Sequence, residues 1–433
     1  MSLITKKGHT ALGYSKEGTW LYLILLVYPV LLSAFFGYRL FEMNAVRAVV
    51  LGLLIVVQLF YIMRCGHVDA PMLLWSILAL TIITLGSKFN VGVIVQYIPF
   101  FILLWKNNLA AHPKLTRVFL WIAVFCAAGI ALQMLLPEET FYSLVLSQFE
   151  SYQQFDKVER AFAAKTVFYG FMYDSAFTAR HLVFGIAGLV VMLANKETKK
   201  KPLMLLGVII FTVGLLLTGK RTSLAGMLLA FLILYYCIAP LQKKIGRLLL
   251  ILIVIAIGFA LLPTLANLLQ IEVLTEIVEA IDGVMNGESL FEYRSTLYSD
   301  AIELFRENPL LGIGWKQFRE LHVNYWGYEL DVHNVYLQLL CETGICGFLL
   351  FAIFFVVNLN RAIKLCRMPL VGQEQACARF MLFVQVFFLL CCVTENELYN
   401  ISAFAYYFVS CAYVQTRYKR EKRQREKGSG ANG

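Results

Sequence analysis

The sequence predicts an all-α, polytopic membrane protein of about twelve transmembrane helices, with a long extracytoplasmic loop that carries short helices of its own. Three observations predict it. Of the 433 residues, 59% are hydrophobic, above the roughly 45–50% of a soluble globular chain. Charged residues make up 15% and lie between the apolar runs rather than within them. The runs themselves recur at about 17–25 residues, the length that crosses a bilayer as a helix.

In order, the runs are 20–37, 44–63, 70–86, 91–105 and 117–136, then 181–195, 202–218, 222–240 and 246–263, and last 334–358, 377–394 and 399–416. The first begins at Trp20 and leads into further spans with no small-residue cleavage site, so it reads as a retained helix and not a signal peptide. The expected organisation is a helical part over 1–263 with a first outer loop at 137–180, and a large outer loop at 264–333. Three more helices over 334–416 and a basic tail at 417–433 complete it.

Charge orients the array. With the N-terminus and its Lys6, Lys7 and Lys16 inside, alternate loops receive NKETKKK (195–201), LQKKIGR (241–247), RAIKLCR (361–367) and the tail YKREKRQREK. The short loops on the other side hold only Arg39, Lys88, Lys220 and Arg221. The positive-inside rule then places both termini in the cytoplasm and both long loops outside. The same distribution accounts for the net charge of +10 without nucleic acid, and makes anionic membrane lipids the expected partner of the tail.

The first outer loop, with FYSLVLSQFESYQQF and DKVERAFAAK, is apolar enough to lie partly in the interface. The second opens with an acidic amphipathic stretch, IEVLTEIVEAIDGV, followed by a helix LFEYRSTLYSDAIELF that Asn308-Pro309 stops. In the LLGIGW that follows, Gly312 and Gly314 permit a tight turn against a ligand or another backbone. No fixed-period repeat or inverted pair of broken helices is present, which weakens a transporter or flippase reading.

The chain holds no P-loop, no DxD and no HExxH, which disfavours a metal-dependent nucleotide-sugar enzyme; no metal and no cofactor is expected. The ten cysteines sit mostly in apolar segments without a CxxC pair, and read as packing residues. The chemistry gathers instead at outer helix ends. In LLLTGKRTSLAG (215–226), Lys220 and Arg221 stand at the start of a helix whose first turn carries Thr222 and Ser223. Open N–H groups, a helix dipole and two cations make an anion site, with snorkelling to lipid head groups as the plain alternative. His333 and Asn334 open the tenth span, and an imidazole there suits proton abstraction from a hydroxyl. Asp331 is a possible cap. Asn334, Gln338 and Glu342 form a polar stripe going inward, and Glu342 either faces a cavity or is a satisfied packing acid. Arg294, on one helix face with Tyr298 and Ala301, either points back to the membrane surface or is solvated. Arg180, at the outer end of the sixth span, either joins the anion site or snorkels. His181 and His322 read as structural, and Glu395 and Glu397 fall in the outer turn TENELYN.

These pieces, in this order, resemble the O-antigen ligase and polysaccharide polymerase family, of the Wzy and WaaL types. The resemblance is most specific over about 290–350, through RSTLYSDAIELFRENPLLGIGWKQF and HNVYLQLLCETGICG, and extends to the TGKRTS turn. It implies a GT-C-like glycosyltransferase acting outside the cytoplasmic (inner) membrane of a bacterium on undecaprenyl-diphosphate-linked oligosaccharide, without metal. It implies His333 as the base that activates the acceptor hydroxyl, and Arg221 with Arg294 as diphosphate ligands, beside Lys220 and Arg180. Asn334, Glu342 and Glu395 are then supporting residues. Family members often carry an arginine and an Asn-Pro pair before the sixth helix; AKTVFYGFMYDSAFTARHL here leaves Lys165 or Arg180 to substitute. The expected function is an O-antigen or capsular polysaccharide polymerase, with a chain-length regulator as a further partner. The alternatives are an O-antigen ligase and, from another class, a transporter.

Overall fold

The structure is a computed structural model that describes residues 16–65, 68–88, 90–105, 115–152, 155–165, 167–195, 200–269, 275, 278–279, 292–326 and 330–429. Six helices come first: α1 (Lys16–Ser33), α2 (Phe35–Glu42), α3 (Asn44–Cys65), α4 (Ala70–Gly86), α5 (Val91–Leu104) and α6 (Thr116–Leu135). The first loop carries α7 (Glu138–Leu144) and α8 (Phe155–Ala163). Then follow α9 (Ser175–Leu193), α10 (Lys201–Leu217), α11 (Arg221–Cys237) and α12 (Lys244–Leu269). The second loop contains α13 (Glu292–Glu307) and α14 (Gln317–Trp326), and α15 (Val335–Cys366), α16 (Gly372–Cys391) and α17 (Ile401–Ser429) close the chain. The amphipathic stretch expected over 271–284 lies almost wholly outside the described residues.

Among the described residues, four helices are long and apolar enough to cross a membrane: α6, α9, α15 and α16. The pair Phe35–Phe41 and Ala45–Phe60, bent by 95°, makes a fifth if taken as one span. Thr19–Ser33, Ala70–Gly86, Val91–Leu104, Lys201–Leu217 and Arg221–Cys237 are apolar but shorter. Against the expected dozen, the described helices thus give four or five full-length spans. Their outer faces are those of an integral membrane protein. Helix α3 exposes Val49, Leu53, Val56, Phe60 and Met63, a helical stripe that water would penalise and lipid does not.

The interior is built around the last helix. α17 packs against α1, α5, α15 and α16, and its residues from Ser402 to Arg417 are buried. Aromatic rings fill the seams, with Phe404 on Phe408 at 4.0 Å and Phe388 on Tyr407 at 4.1 Å. The first loop has a small core of its own, with Phe141, Phe149, Phe155 and Phe162 among its buried side chains.

Three sequence expectations are corrected. The sixth span starts at Ser175 and not near 181, because Asp174 caps it by accepting a hydrogen bond from Ala176 N (2.8 Å); Arg180 and His181 therefore lie inside the helix. Asp331 does not cap α15. Asn334 does, its Oδ1 accepting from Tyr336 N (3.0 Å) and Leu337 N (3.1 Å). The basic tail is not a separate segment: α17 runs on to Ser429, Arg417 pairs with Glu374 (2.9 Å) and Glu421 (3.0 Å), and Lys419 pairs with Asp69.

The LLGIGW turn approaches another backbone. Helix α15 breaks at Gly344 (φ 60°), and the segment after Pro309 pairs with the break: Ile313 N donates to Cys341 O (3.0 Å), Gly314 N to Glu342 O (2.8 Å) and Ile345 N to Pro309 O (2.9 Å). A Cβ on Gly312 would lie 2.3 Å from the Glu342 carbonyl carbon, and one on Gly344 equally close to that of Leu310. Only glycine fits at this crossing.

Candidate functional site

The turn between α16 and α17, residues 392–400, collects contacts from four other helices and from His333. Cys392 O accepts from Val335 N (2.9 Å), tying the turn to the start of α15. Thr394 O accepts from Arg294 Nη1 of α13 (2.9 Å). Glu395 Oε1 accepts from the Thr222 hydroxyl in the first turn of α11 (3.3 Å). The Asn396 amide lies 3.4 Å from His333 Nδ1. Glu397 Oε1 meets Arg180 Nη2 of α9 at 2.7 Å. Asn400 then caps α17 through Ser402 N (3.0 Å).

His333 occupies left-handed backbone space (φ 56°), a conformation that costs an L-residue about 1–3 kcal/mol and persists where the surroundings fix it. The fixing is visible on both sides: Val332 is buried in the small core of α13 and α14, and Asn334 is held as the cap of α15. Desolvation by burial lowers the imidazole pKa below its ordinary 6.5; the Glu395 carboxylate opposes and the Arg294 guanidinium assists. The ring is accordingly neutral at pH 7 and able to accept a proton.

Beside it opens a cavity of about 510 Å³, lined by His333, Glu395, Asn396 and Glu397 and by cations from three elements, Arg47, Arg180 and Arg319. The acids of this chamber are each engaged. Glu397 holds Arg180, both side chains nearly buried (5% and 7% exposed). Asp174 lies 3.7 Å from Lys220. Asp331 accepts from Gln338 Nε2 (3.1 Å).

The expected residues are thus brought together in part. His333, Arg294, Glu395 and the Lys220–Thr222 start of α11 meet around one turn. Arg221 is the first residue of α11 and exposed; Lys220, at the cap, provides no side-chain cap for that helix. Thr222 gives its hydroxyl to Glu395 and not to the helix end. Arg180 neither snorkels nor stands at the lipid surface, being locked to Glu397. Lys165 pairs with Glu138 (2.7 Å), well within the first loop. Asn334 works as a helix cap. Glu342 does not line the chamber; its carboxylate accepts from Lys316 N (2.8 Å), Phe318 N (3.3 Å) and Gln338 Nε2 (3.1 Å), and so caps the start of α14 from a distant helix. The expected stripe exists, but its inner end is structural. His181 has both ring nitrogens bonded, Nδ1 to Phe177 O and Nε2 to the Tyr406 hydroxyl, each at 2.6 Å. The side chains of His322, Tyr325 and Trp326, and all of Tyr328, lie outside the described residues.

Sequence reasoning missed Asn396, the Arg180–Glu397 pair, and the cations Arg47, Lys316 and Arg319. A signal existed for Arg47, an arginine one turn inside an apolar run, and for the two acids of TENELYN.

Residues 205–352 match the family model described as O-antigen ligase. Over those residues the chain is similar to the O-antigen ligase family. The matched segment contains Arg221, Arg294, His333, Asn334 and Glu342, and its residues Thr222 and Arg294 bond to a turn at 392–400 that lies beyond the match. None of the curated proteins searched matches the chain.

Proposed function

We propose that this protein is a polysaccharide polymerase of the bacterial cytoplasmic membrane. It joins oligosaccharide repeat units carried on undecaprenyl diphosphate, at the outer face, with both termini in the cytoplasm. The observation that carries the reading is the convergence of a neutral, half-buried His333 with Arg294 and the start of α11 on one turn. In the proposed step the acceptor hydroxyl oxygen attacks the anomeric carbon of the donor sugar. The bond from that carbon to the diphosphate oxygen breaks, and its electron pair leaves with undecaprenyl diphosphate. The hydroxyl proton passes to His333. With the Asn396 amide turned so that Oδ1 accepts from Nδ1–H, Nε2 is the basic nitrogen. Arg221 and Arg294 hold the diphosphate, whose charge grows as the bond breaks, and the arginine fork suits that geometry.

A ligase, transferring a finished glycan to a different lipid, uses the same residues and differs in acceptor; the description of the matched family favours it as the second reading. The test is to give the purified protein in vesicles a synthetic polyprenyl-diphosphate repeat unit. A ladder of products supports the polymerase. A single transfer, and only when a second glycolipid is added, supports the ligase. Substrate moved across the vesicle with no new glycosidic bond would refute both.

A further inference from the structure

Arg47 and Lys316 each line two cavities. One is the chamber of His333; the other, of about 540 Å³, lies at the N-terminal ends of α3 and α5. Ala48, Leu51, Val91, Val93 and Val95 supply half of the second wall, and Asn90, Gly92 and Gln96 with the two cations supply the rest. Val91 is 68% exposed, and α3 turns its neighbouring Val49 and Leu53 outward, so this wall continues into the apolar outer surface of the molecule. Two cations therefore stand where an acid- and base-bearing chamber joins one that is half aliphatic and has no acid among its described lining residues.

Both are held in place. Arg47 Nε donates to Phe41 O (2.9 Å) across the sharp bend between α2 and α3. Lys316 sits in left-handed backbone space (φ 63°) with its own N–H bound to the Glu342 carboxylate (2.8 Å), so a residue of α15 fixes where its side chain starts. Arg319, further along α14, adds a third cation on the His333 side. Of that chamber's four acids, Glu397 and Asp174 pair with Arg180 and Lys220, while Glu395 and Asp331 accept from the neutral Thr222 and Gln338. The positive charge offered to a ligand is that of Arg47 and Lys316 on the side of the second cavity, whose described lining residues include no acid.

The geometry points to a second anionic-lipid site, built for the acceptor. Its phosphate rests on Arg47 and Lys316, its lipid chain lies along the exposed aliphatic residues of α3 and α5 beside them, and its glycan reaches into the chamber of His333. The inference rests on the proposed function, in which Arg221 and Arg294 hold the donor; neither lines either cavity. An enzyme that joins two lipid-borne glycans needs two head-group sites flanking one base. The ligand class is a phosphorylated glycolipid, a chemistry shared by a polyprenyl-diphosphate glycan and by a phosphorylated acyl-chain glycolipid.

The test measures equilibrium binding of fluorescent acceptors to the vesicle-embedded protein in the His333→Ala background, with no donor present, so that failure of the base assignment cannot affect it. Four probes are used: a short polyprenyl-diphosphate glycan, a phosphorylated diacyl glycolipid, and for each a dephosphorylated counterpart, a polyprenyl glycoside and the phosphate-free diacyl glycolipid. Arg47→Gln and Lys316→Gln should each weaken binding of a phosphorylated probe about tenfold or more, as loss of one charge-assisted contact does. Binding of the dephosphorylated forms should not change, and Arg47→Lys should retain most of the affinity. Sensitivity confined to the polyprenyl or to the diacyl probe identifies the acceptor's lipid. Equal loss for phosphorylated and dephosphorylated probes, or no loss for any, overturns the site. The polyprenyl-diphosphate probe is also a donor in the polymerase, so its binding is read with Arg221→Ala added to the background; for the diacyl probe, an effect of Arg221→Ala as large as that of Arg47→Gln overturns the site.

Discussion

The two ends of the helical bundle use the same kinds of charged residues in opposite ways. At the end containing the starts of α4 and α16, charges close on one another. Arg417 is almost fully buried between Glu374 and Glu421, Lys419 pairs with Asp69, and Arg367 donates to Cys237 O (2.8 Å). At the end containing the starts of α3, α9, α11 and α15, the charges line a chamber around a histidine. Ion pairs that only hold helices together leave no room between them. The second end leaves space between its charges, and two residues lining that space, His333 and Lys316, stand in left-handed backbone conformations.

That contrast can be broken first at the closed end. Arg417→Ala removes one partner of a buried ion network and should cost about 3–5 kcal/mol of stability, since it strands the acid of Glu374. Yield and thermal melting of the detergent-solubilised protein report the loss, while turnover per folded molecule should stay unchanged. A drop in turnover without a drop in melting temperature would contradict the division between the ends.

At the crossing that supports the chamber, Gly312→Ala should destabilise by about 1–3 kcal/mol through its positive φ alone, with the 2.3 Å approach to Glu342 adding to it. Melting measured beside Gly258→Ala, where a Cβ meets open space, isolates the effect. At the open end, Arg221→Ala should reduce donor use at least about tenfold at limiting donor with little change in melting, and Arg221→Lys should recover only part of it. The smallest effect belongs to the surface. Lys88 and Glu320 lie 3.5 Å apart but are 74% and 64% exposed, so Lys88→Ala should shift stability by no more than about 1 kcal/mol.

How much of this was legible in the sequence follows from what each feature depends on. The all-α membrane character follows from run length and charge spacing, which are local. So does Gly312, whose type suits a tight turn, whereas the cap of α15 was expected at Asp331 and is Asn334. The polar stripe from Asn334 to Glu342 was legible as a helical spacing, but its purpose was not, because the N–H groups that satisfy Glu342 belong to Lys316 and Phe318, 26 and 24 residues away. Arg180 shows the same limit more strongly: its partner Glu397 lies 217 positions along the chain. A one-residue pattern cannot announce a contact at that distance, and the turn at 392–400 became a hub only when α9, α11, α13 and α15 were folded against it.

The measurement that bears most directly on the open end is the single-turnover rate of glycan transfer by His333→Gln, at saturating donor and acceptor, across pH 5 to 8. Glutamine can hydrogen-bond a sugar but cannot take its proton. The native protein should lose rate as pH falls through the imidazole pKa, and because burial lowers that pKa the loss should centre below 6.5. His333→Gln should be slower by about 10²–10⁴-fold at pH 7 and should lose the pH dependence, at unchanged melting temperature. A glutamine variant that keeps most of the rate, or one that is slow but retains the same pH profile, would show that the proton goes elsewhere and that His333 only shapes the chamber.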